Sequence, residues 1–166
     1  MIIKITNIPV GIHALSFEKT VEELQLGEPF VDKLILDCTI DKSLNQIVVR
    51  CNLTISVELN CDRCINDFVK TMKTNFTLIY LPKKDELGDD DDNVKYLSPA
   101  ADKLDLTQDV IDYAYLSIPM KMVCDDNCAG LCSICGTNLN QSNCKCKEEI
   151  KNPVWDKLMN LKNKLN

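Results

Sequence analysis

Eight of the ten cysteines fall into closely spaced pairs, and this pattern constrains the fold more than any other feature of the sequence. Cys61 and Cys64 are separated by two residues, and a second group follows some sixty residues later: Cys124, Cys128, Cys132, Cys135, Cys144 and Cys146. Thiols spaced this way let a tight turn aim two sulfurs at one metal ion, and zinc prefers four ligands in a tetrahedron. The pattern therefore predicts metal coordination by loops that converge in the fold.

The spacing divides the thiols into two predicted sites. One site consists of Cys132, Cys135, Cys144 and Cys146. Gly136 follows a C-x-x-C pair, where a positive φ brings backbone amides towards the sulfurs. The other site consists of Cys61, Cys64, Cys124 and Cys128 and would join two distant loops. A single shared site, built from Cys61, Cys64 and one later pair, is the competing arrangement, so we expect one or two zinc ions.

Ligand chemistry predicts that the metal has a structural role. Catalytic zinc keeps an open position and commonly uses histidine or carboxylate ligands, whereas these sets are all cysteine. His13 is the only histidine, and its sequence context favours a structural or surface role. The alternative is a redox dithiol at Cys61 and Cys64, where Arg63 would lower a thiol pKa. That motif normally opens a helix, whereas here it joins two predicted strands.

Charge and hydropathy indicate an ordinary globular protein. The formal net charge is −6, but six acids fall between Asp85 and Asp92, so residues 85–93 are predicted to form a flexible acidic loop. No stretch approaches the roughly 20 apolar residues of a membrane span, and the first residues lack the pattern of a secretory signal. We therefore expect a cytoplasmic protein with reduced cysteines, no membrane association and no small-molecule substrate.

Alternating apolar and polar residues predict an antiparallel meander. The clearest strand covers residues 47–59, with further strands at 34–40 and 68–80 and a weak first strand at 2–10. Residues 15–26 are predicted to be a short helix or an irregular connection.

Two cysteines outside the paired groups lie within these strands. Cys38 and Cys51 fall on the apolar parity of their strands and are predicted to be small core residues without a function.

Two helices are predicted. The first begins near Leu106, with Thr107 as its N-cap and Leu106 packing onto Ile111, and Pro119 stops it. Its apolar stripe should pack on the sheet. The second follows Asn152-Pro153 and is amphipathic and basic. The fold class is therefore α+β: an antiparallel meander packed by one or two helices (1–122), a cysteine-rich zinc module (123–147) and a terminal helix (148–166).

Several motifs together resemble one family. These are the long strand that ends in Cys61-x-Arg-Cys64, the helix up to Pro119, the run from Cys128 to Asn140, and the closing Pro153-x-Trp155-x-x-Leu158-x-x-Leu161. They are similar to the YceD family of large ribosomal RNA subunit accumulation proteins. The resemblance implies a bacterial or organellar factor without enzymatic activity that supports 23S ribosomal RNA accumulation and large-subunit biogenesis.

The expected partner is ribosomal RNA or a pre-ribosomal particle, bound directly or through a protein. A pure protein-binding adaptor is a further alternative. If RNA is contacted, the best candidates are basic residues beside or after the cysteine pairs: Arg63, Lys145, Lys147, Lys151 and Lys157.

Overall fold

The computed structural model describes residues 1–82 and 93–146. Seven strands, a short 3-10 helix at Ile5–Asn7 and one α-helix, α1 (Thr107–Leu116), make up this part of the chain. The strands are β1 (Ile2–Lys4), β2 (Gly11–Thr20), β3 (Phe30–Lys42), β4 (Ile47–Asn60), β5 (Asp67–Leu81), β6 (Val94–Tyr96) and β7 (Lys103–Asp105). The predicted terminal helix and nearly all of the predicted acidic loop lie outside the described residues.

The main sheet has five strands in the order β2-β3-β4-β5-β6. Its first four strands form an antiparallel meander, which confirms the predicted arrangement of the three central strands. The sheet is mixed rather than wholly antiparallel, because β6 pairs in parallel with β5. A separate two-stranded sheet pairs β1 with β7, so only the start of the predicted strand at 2–10 is a strand.

Residues 11–20 are a strand, and the prediction of a helix from residue 15 is wrong for this part. β2 pairs along its whole length with β3, from Gly11 opposite Lys42 to Thr20 opposite Lys33. As an outer strand β2 only half-buries its inward side chains, such as Leu15 and Phe17, so its alternation is weak in the sequence. Residues 21–26 form an irregular turn, as the alternative predicted.

One face of the main sheet carries the core. Its inward side chains are at most 2% exposed over most of β3 and β4, for example Leu36, Leu53 and Val57. Each fully buried aliphatic side chain contributes about 1.5–3 kcal/mol. The outward face is polar, with exposed residues such as Arg50 and Asn75.

Helix α1 covers part of the core, as predicted. It packs on β4 and β5, and Tyr113 stacks on Phe76 with ring centroids 4.3 Å apart. The predicted cap is wrong in detail. The N-cap is Leu106, Thr107 is the first helical residue, and the backbone N–H of Thr107 donates to the Asp105 carboxylate at 3.0 Å.

Cys38 and Cys51 are buried in the core, as expected, but they are bonded to each other as a disulfide. The sequence prediction treated them as reduced, independent small apolar residues, and it is wrong on both points. The register of β3 and β4 places them directly opposite one another, with their Cα atoms 4.2 Å apart. Side chains at opposed positions of an antiparallel pair point to the same face, so the two sulfurs meet.

Candidate metal centres

The first C-x-x-C turn connects β4 to β5. Cys61 follows the last residue of β4, and its N–H donates to the carbonyl of Asn66 at 2.9 Å. The N–H of Ile65 donates back to the carbonyl of Cys61 at 2.8 Å. Ile65 has φ +62°, a conformation that is costly for a β-branched residue. This turn points the sulfurs of Cys61 and Cys64 to the same side.

The second C-x-x-C turn repeats this backbone pattern. Cys132 N–H donates to Thr137 O at 2.8 Å, and Gly136 N–H donates to Cys132 O at 2.9 Å. Gly136 has φ +72°, the positive value that the sequence predicted for it. The same conformation at Ile65 was not foreseen, because nothing in an isoleucine signals it.

The four thiols of Cys61, Cys64, Cys124 and Cys128 converge, with sulfur atoms within 4.8 Å of one another. The sulfurs of Cys61 and Cys128 are 3.9 Å apart, and those of Cys64 and Cys124 are 3.7 Å apart. All but Cys124 are buried. We call this set the first thiol group.

The loop that carries Cys124 and Cys128 is held against the first turn by backbone contacts on both sides. Asp62 N–H donates to Met122 O at 2.7 Å, and Met122 N–H donates to the Asp62 carboxylate at 2.6 Å. Leu131 N–H donates to Arg63 O at 3.0 Å. Gly130, at φ +75°, lies so close to this carbonyl that a Cβ would be 3.0 Å from it.

Arg63 contributes a third clamp between the loops. Its guanidinium donates to the carbonyl of Cys128 at 2.9 Å and to that of Asp126 at 3.2 Å. Sequence reasoning considered Arg63 only as a thiol neighbour and an RNA contact, and it missed this structural role. The position of Arg63 inside a C-x-x-C turn could have indicated this role, because its long side chain reaches the loop that carries the other two cysteines of the group.

The second thiol group consists of Cys132, Cys135, Cys144 and Cys146, again with sulfurs within 4.8 Å of one another. None of the four is fully buried, and Cys135 is exposed. The division of the eight thiols thus follows the two predicted sets rather than a single shared set. The two groups differ in environment, because the first is built into the end of the sheet and the second lies at the surface.

Polar donors around the first thiol group favour ionised sulfur. Burial raises the pKa of the Cys61 thiol. Hydrogen bonds from the backbone N–H groups of Cys124, Cys64 and Arg63 outweigh this effect and lower the pKa to about 6. The Asn140 amide donates to the sulfur of Cys128 at 3.2 Å and lowers the pKa of that thiol. The neighbouring sulfur of Cys61 raises the pKa of Cys124 to about 12.

The second thiol group shows the same division. The sulfur of Cys135 lies 3.1 Å from the hydroxyl oxygen of Thr137, and contact with this residue lowers the pKa of Cys135 to about 6. The sulfur of Cys135 in turn raises the pKa of Cys146 to about 12. The thiolate of Cys61 thus opposes ionisation of Cys124, and that of Cys135 opposes ionisation of Cys146; a bound cation removes this opposition.

The sulfur spacing fits a tetrahedral ion. With Zn–S bonds of about 2.3 Å, the sulfurs of a tetrahedral site lie about 3.8 Å apart. The sulfur–sulfur separations of 3.7 and 3.9 Å in the first thiol group bracket that value. Both groups could therefore hold a metal ion, and among the described residues their donor sets contain sulfur alone.

The predicted RNA contacts are partly visible. Lys145 is exposed between two cysteines of the second thiol group, and Arg63 is engaged with the loop as described above. Lys147, Lys151 and Lys157 lie outside the described residues. His13 contacts the carbonyl of Pro9 at 3.0 Å. It lies in β2 opposite Ile40 of β3, and Ile40 lies opposite Val49 near the start of β4, whereas Cys61 follows the end of β4.

Within residues 1–82 and 93–146, no helix is long and apolar enough to cross a membrane. The only α-helix in that part of the chain has 10 residues.

Comparison with known proteins gives a consistent result. A large ribosomal RNA subunit accumulation protein YCED homolog 1, chloroplastic, from Arabidopsis thaliana is 27% identical over 135 residues, 66% of this chain and 42% of that protein. The Zea mays protein of the same name is 32% identical over 119 residues, 55% of this chain and 41% of that protein. The chain thus spans less than half the length of these curated relatives. No solved structure matches.

The family model described as large ribosomal RNA subunit accumulation protein YceD matches residues 49–162. This range begins in β4, includes both thiol groups and extends into the region beyond Cys146. The prediction of a bacterial and cytoplasmic protein stays a prediction, since the curated relatives are named as chloroplastic. The chain belongs to the YceD family.

Proposed function

We propose that this protein is a non-enzymatic factor that supports accumulation of the large-subunit (23S) ribosomal RNA and hence large-subunit biogenesis. The observation that carries the proposal is the family match over residues 49–162. The names of the Arabidopsis and maize relatives agree with it. The partner is ribosomal RNA or a pre-ribosomal particle, reached directly or through a protein.

Two structural zinc ions complete the proposal, one in each thiol group. All-sulfur ligand sets with four members leave no open position for a reacting water, which is typical of structural zinc. The first ion would fasten the loop of Cys124 and Cys128 to the end of the sheet. The second would hold the loop that carries Cys132 and Cys135 to the segment that carries Cys144 and Cys146.

Direct RNA contact would use basic residues around the second thiol group. Lys145 is exposed there, and we assign Lys147, Lys151 and Lys157 to the same role. Arg63 is a weaker candidate, because its guanidinium already donates to two carbonyls. The overall net charge of −6 makes a local basic surface, rather than the whole protein, the proposed contact.

Depletion in the source cell tests the function. We expect the ratio of mature large-subunit to small-subunit RNA to fall, and to recover when the wild-type chain is restored. A Cys61→Ser/Cys64→Ser variant should restore it less well, and Arg50→Lys on the polar face of the sheet serves as the control. A ratio that depletion leaves unchanged would refute the proposal.

Zinc stoichiometry of the anaerobically purified full chain tests the metal sites independently. We expect about two ions per chain in the wild type and about one in either Cys61→Ser/Cys64→Ser or Cys132→Ser/Cys135→Ser. Loss of all metal from the first variant would instead support a shared site. Metal-free wild-type protein with a reversible Cys61–Cys64 disulfide would support the redox alternative.

A further inference from the structure

An apolar groove lies beside the second thiol group, with a volume of about 290 Å³. Leu131, Ile134 and Leu139 line it together with three of the group's cysteines. Ile134 is 49% exposed, and the two leucines are half-buried. Neither hydrophobic cluster formed by the described residues includes any of these three side chains. The groove therefore presents apolar surface that this part of the chain does not cover.

The groove is held in shape by the backbone that surrounds it. Leu131 forms a β-bridge with Asn138, and Leu139 N–H donates to Gly130 O at 2.9 Å. The turn between them is closed by the hydrogen bond from Cys132 to Thr137. A segment that binds here meets walls that are already ordered, which lowers the entropic cost of docking.

The chain itself supplies a matching segment. Cys146 is part of the groove wall, and residues 153–165 follow after a connection of only six residues, 147–152. Such a connection reaches at most about 20 Å. The segment carries apolar residues at helical spacing: Val154, Trp155, Leu158, Met159, Leu161 and Leu165. A short tether keeps this stripe at an effective concentration in the millimolar range, so even weak apolar contacts suffice for docking.

Charge complementarity points to the same occupant. A divalent ion held by four thiolates carries a net charge of −2 on the groove wall, if the second site binds zinc as proposed above. Residues 153–165 contain three lysines and one aspartate. A basic amphipathic segment is thus tethered beside an anionic centre with an apolar surface next to it.

We propose that this groove is the docking surface for the chain's own segment 153–165, with Trp155 buried against Leu131, Ile134 and Leu139. The second thiol group then fixes the position at which segment 153–165 docks. This inference goes beyond the proposed role in RNA accumulation, although its electrostatic part rests on the proposed zinc.

Trp155 is the only tryptophan in the chain, so its fluorescence reports on docking directly. In the full, zinc-loaded chain we expect blue-shifted emission and protection from acrylamide quenching. Ile134→Asp should shift the emission to the red and raise quenching severalfold, towards the value of the denatured chain. Leu44→Asp is the matched control, because Leu44 is 89% exposed in the turn between β3 and β4. It should leave both signals unchanged.

Further measurements make each outcome decisive. The zinc content of Ile134→Asp shows whether its metal-binding loop is intact. Leu158→Asp changes the segment and leaves the groove unaltered. We expect Trp155 to become exposed in both variants. Full accessibility of Trp155 in the zinc-loaded wild type, or protection that survives both variants, would overturn the proposal. Protection that is lost on dilution would also overturn it, because the occupant would then be a second copy. Absence of metal from the wild type would count against the proposed zinc sites instead.

Discussion

Gly130 is the residue at which a single methyl group should separate the two loops of the first thiol group. It has φ +75°, and an added Cβ would lie 3.0 Å from the carbonyl oxygen of Arg63 and 3.3 Å from its Cβ. The same carbonyl accepts the 3.0 Å hydrogen bond from Leu131. Gly130→Ala therefore combines an unfavourable backbone conformation with a steric contact that disrupts the hydrogen bond from Leu131 to Arg63.

The size of the destabilisation follows from these two effects. A left-handed conformation costs a non-glycine residue about 1–2 kcal/mol, and weakening one hydrogen bond costs about 1 kcal/mol. The alanine also lowers the conformational entropy of the unfolded chain, which stabilises the folded state by about 0.4–1 kcal/mol. The net loss for Gly130→Ala is about 2 kcal/mol. Because folding of the loop and metal binding are coupled, zinc affinity at the first thiol group, which we call the first site, should fall about 30-fold.

Two other glycines serve as graded controls. Gly136 has φ +72°, but a methyl group added there would meet no atom within 4 Å, so Gly136→Ala should cost only the conformational term, about 1 kcal/mol, expressed at the second site. Gly27 has neither a positive φ nor a close neighbour, and Gly27→Ala should be neutral. Chelator competition at each site gives the affinities. If Gly130→Ala binds zinc as well as Gly27→Ala does, the reasoning about this contact is refuted.

Three further predictions concern the Arg63 side chain, the ionisation of Cys124, and the disulfide between Cys38 and Cys51. Arg63→Lys should weaken zinc binding at the first site about 5- to 30-fold through loss of about 1–2 kcal/mol of charged hydrogen bonding; Arg50→Lys is the control and should bind normally in the same competition assay. Acidification should weaken zinc binding at the first site, because the pKa of Cys124 is raised to about 12 and its proton must leave on coordination; a pH-independent affinity between neutrality and mild acid would contradict this. Reducing the disulfide between Cys38 and Cys51, which are separated by 13 residues, should lower the free energy of unfolding by about 3 kcal/mol; identical urea midpoints for oxidised and reduced protein would count against it.

The sequence was most informative where one local rule decided the outcome. Apolar residues on one parity, most regular in β4, identified β3, β4 and β5, because each strand buries side chains on one face. Cysteine spacing also divided the eight thiols into the two sets that converge, since each C-x-x-C turn can present two sulfurs on one side. The positive φ at Gly136 followed from the same logic.

Sequence reasoning failed where the outcome depends on contacts between distant segments. β2 was not recognised, because its half-buried face gives only a weak alternation and its hydrogen bonds come from β3. Opposition of Cys38 and Cys51 depends on the register of two strands, which neither strand specifies alone. The structural role of Arg63 depends on carbonyl groups more than sixty residues away.

The length of β5 has a consequence for the geometry of the whole molecule. Asp67 begins this 15-residue strand next to the first thiol group, and Leu81 ends it shortly before residues 83–92. At about 3.3 Å per residue, the strand spans roughly 45 Å. Residues 82 and 93, which flank the acidic run, lie at the far end of this strand, well beyond a Debye length from the first thiol group. Ionic ligands bound at these two ends of β5 would thus be screened from each other at physiological ionic strength.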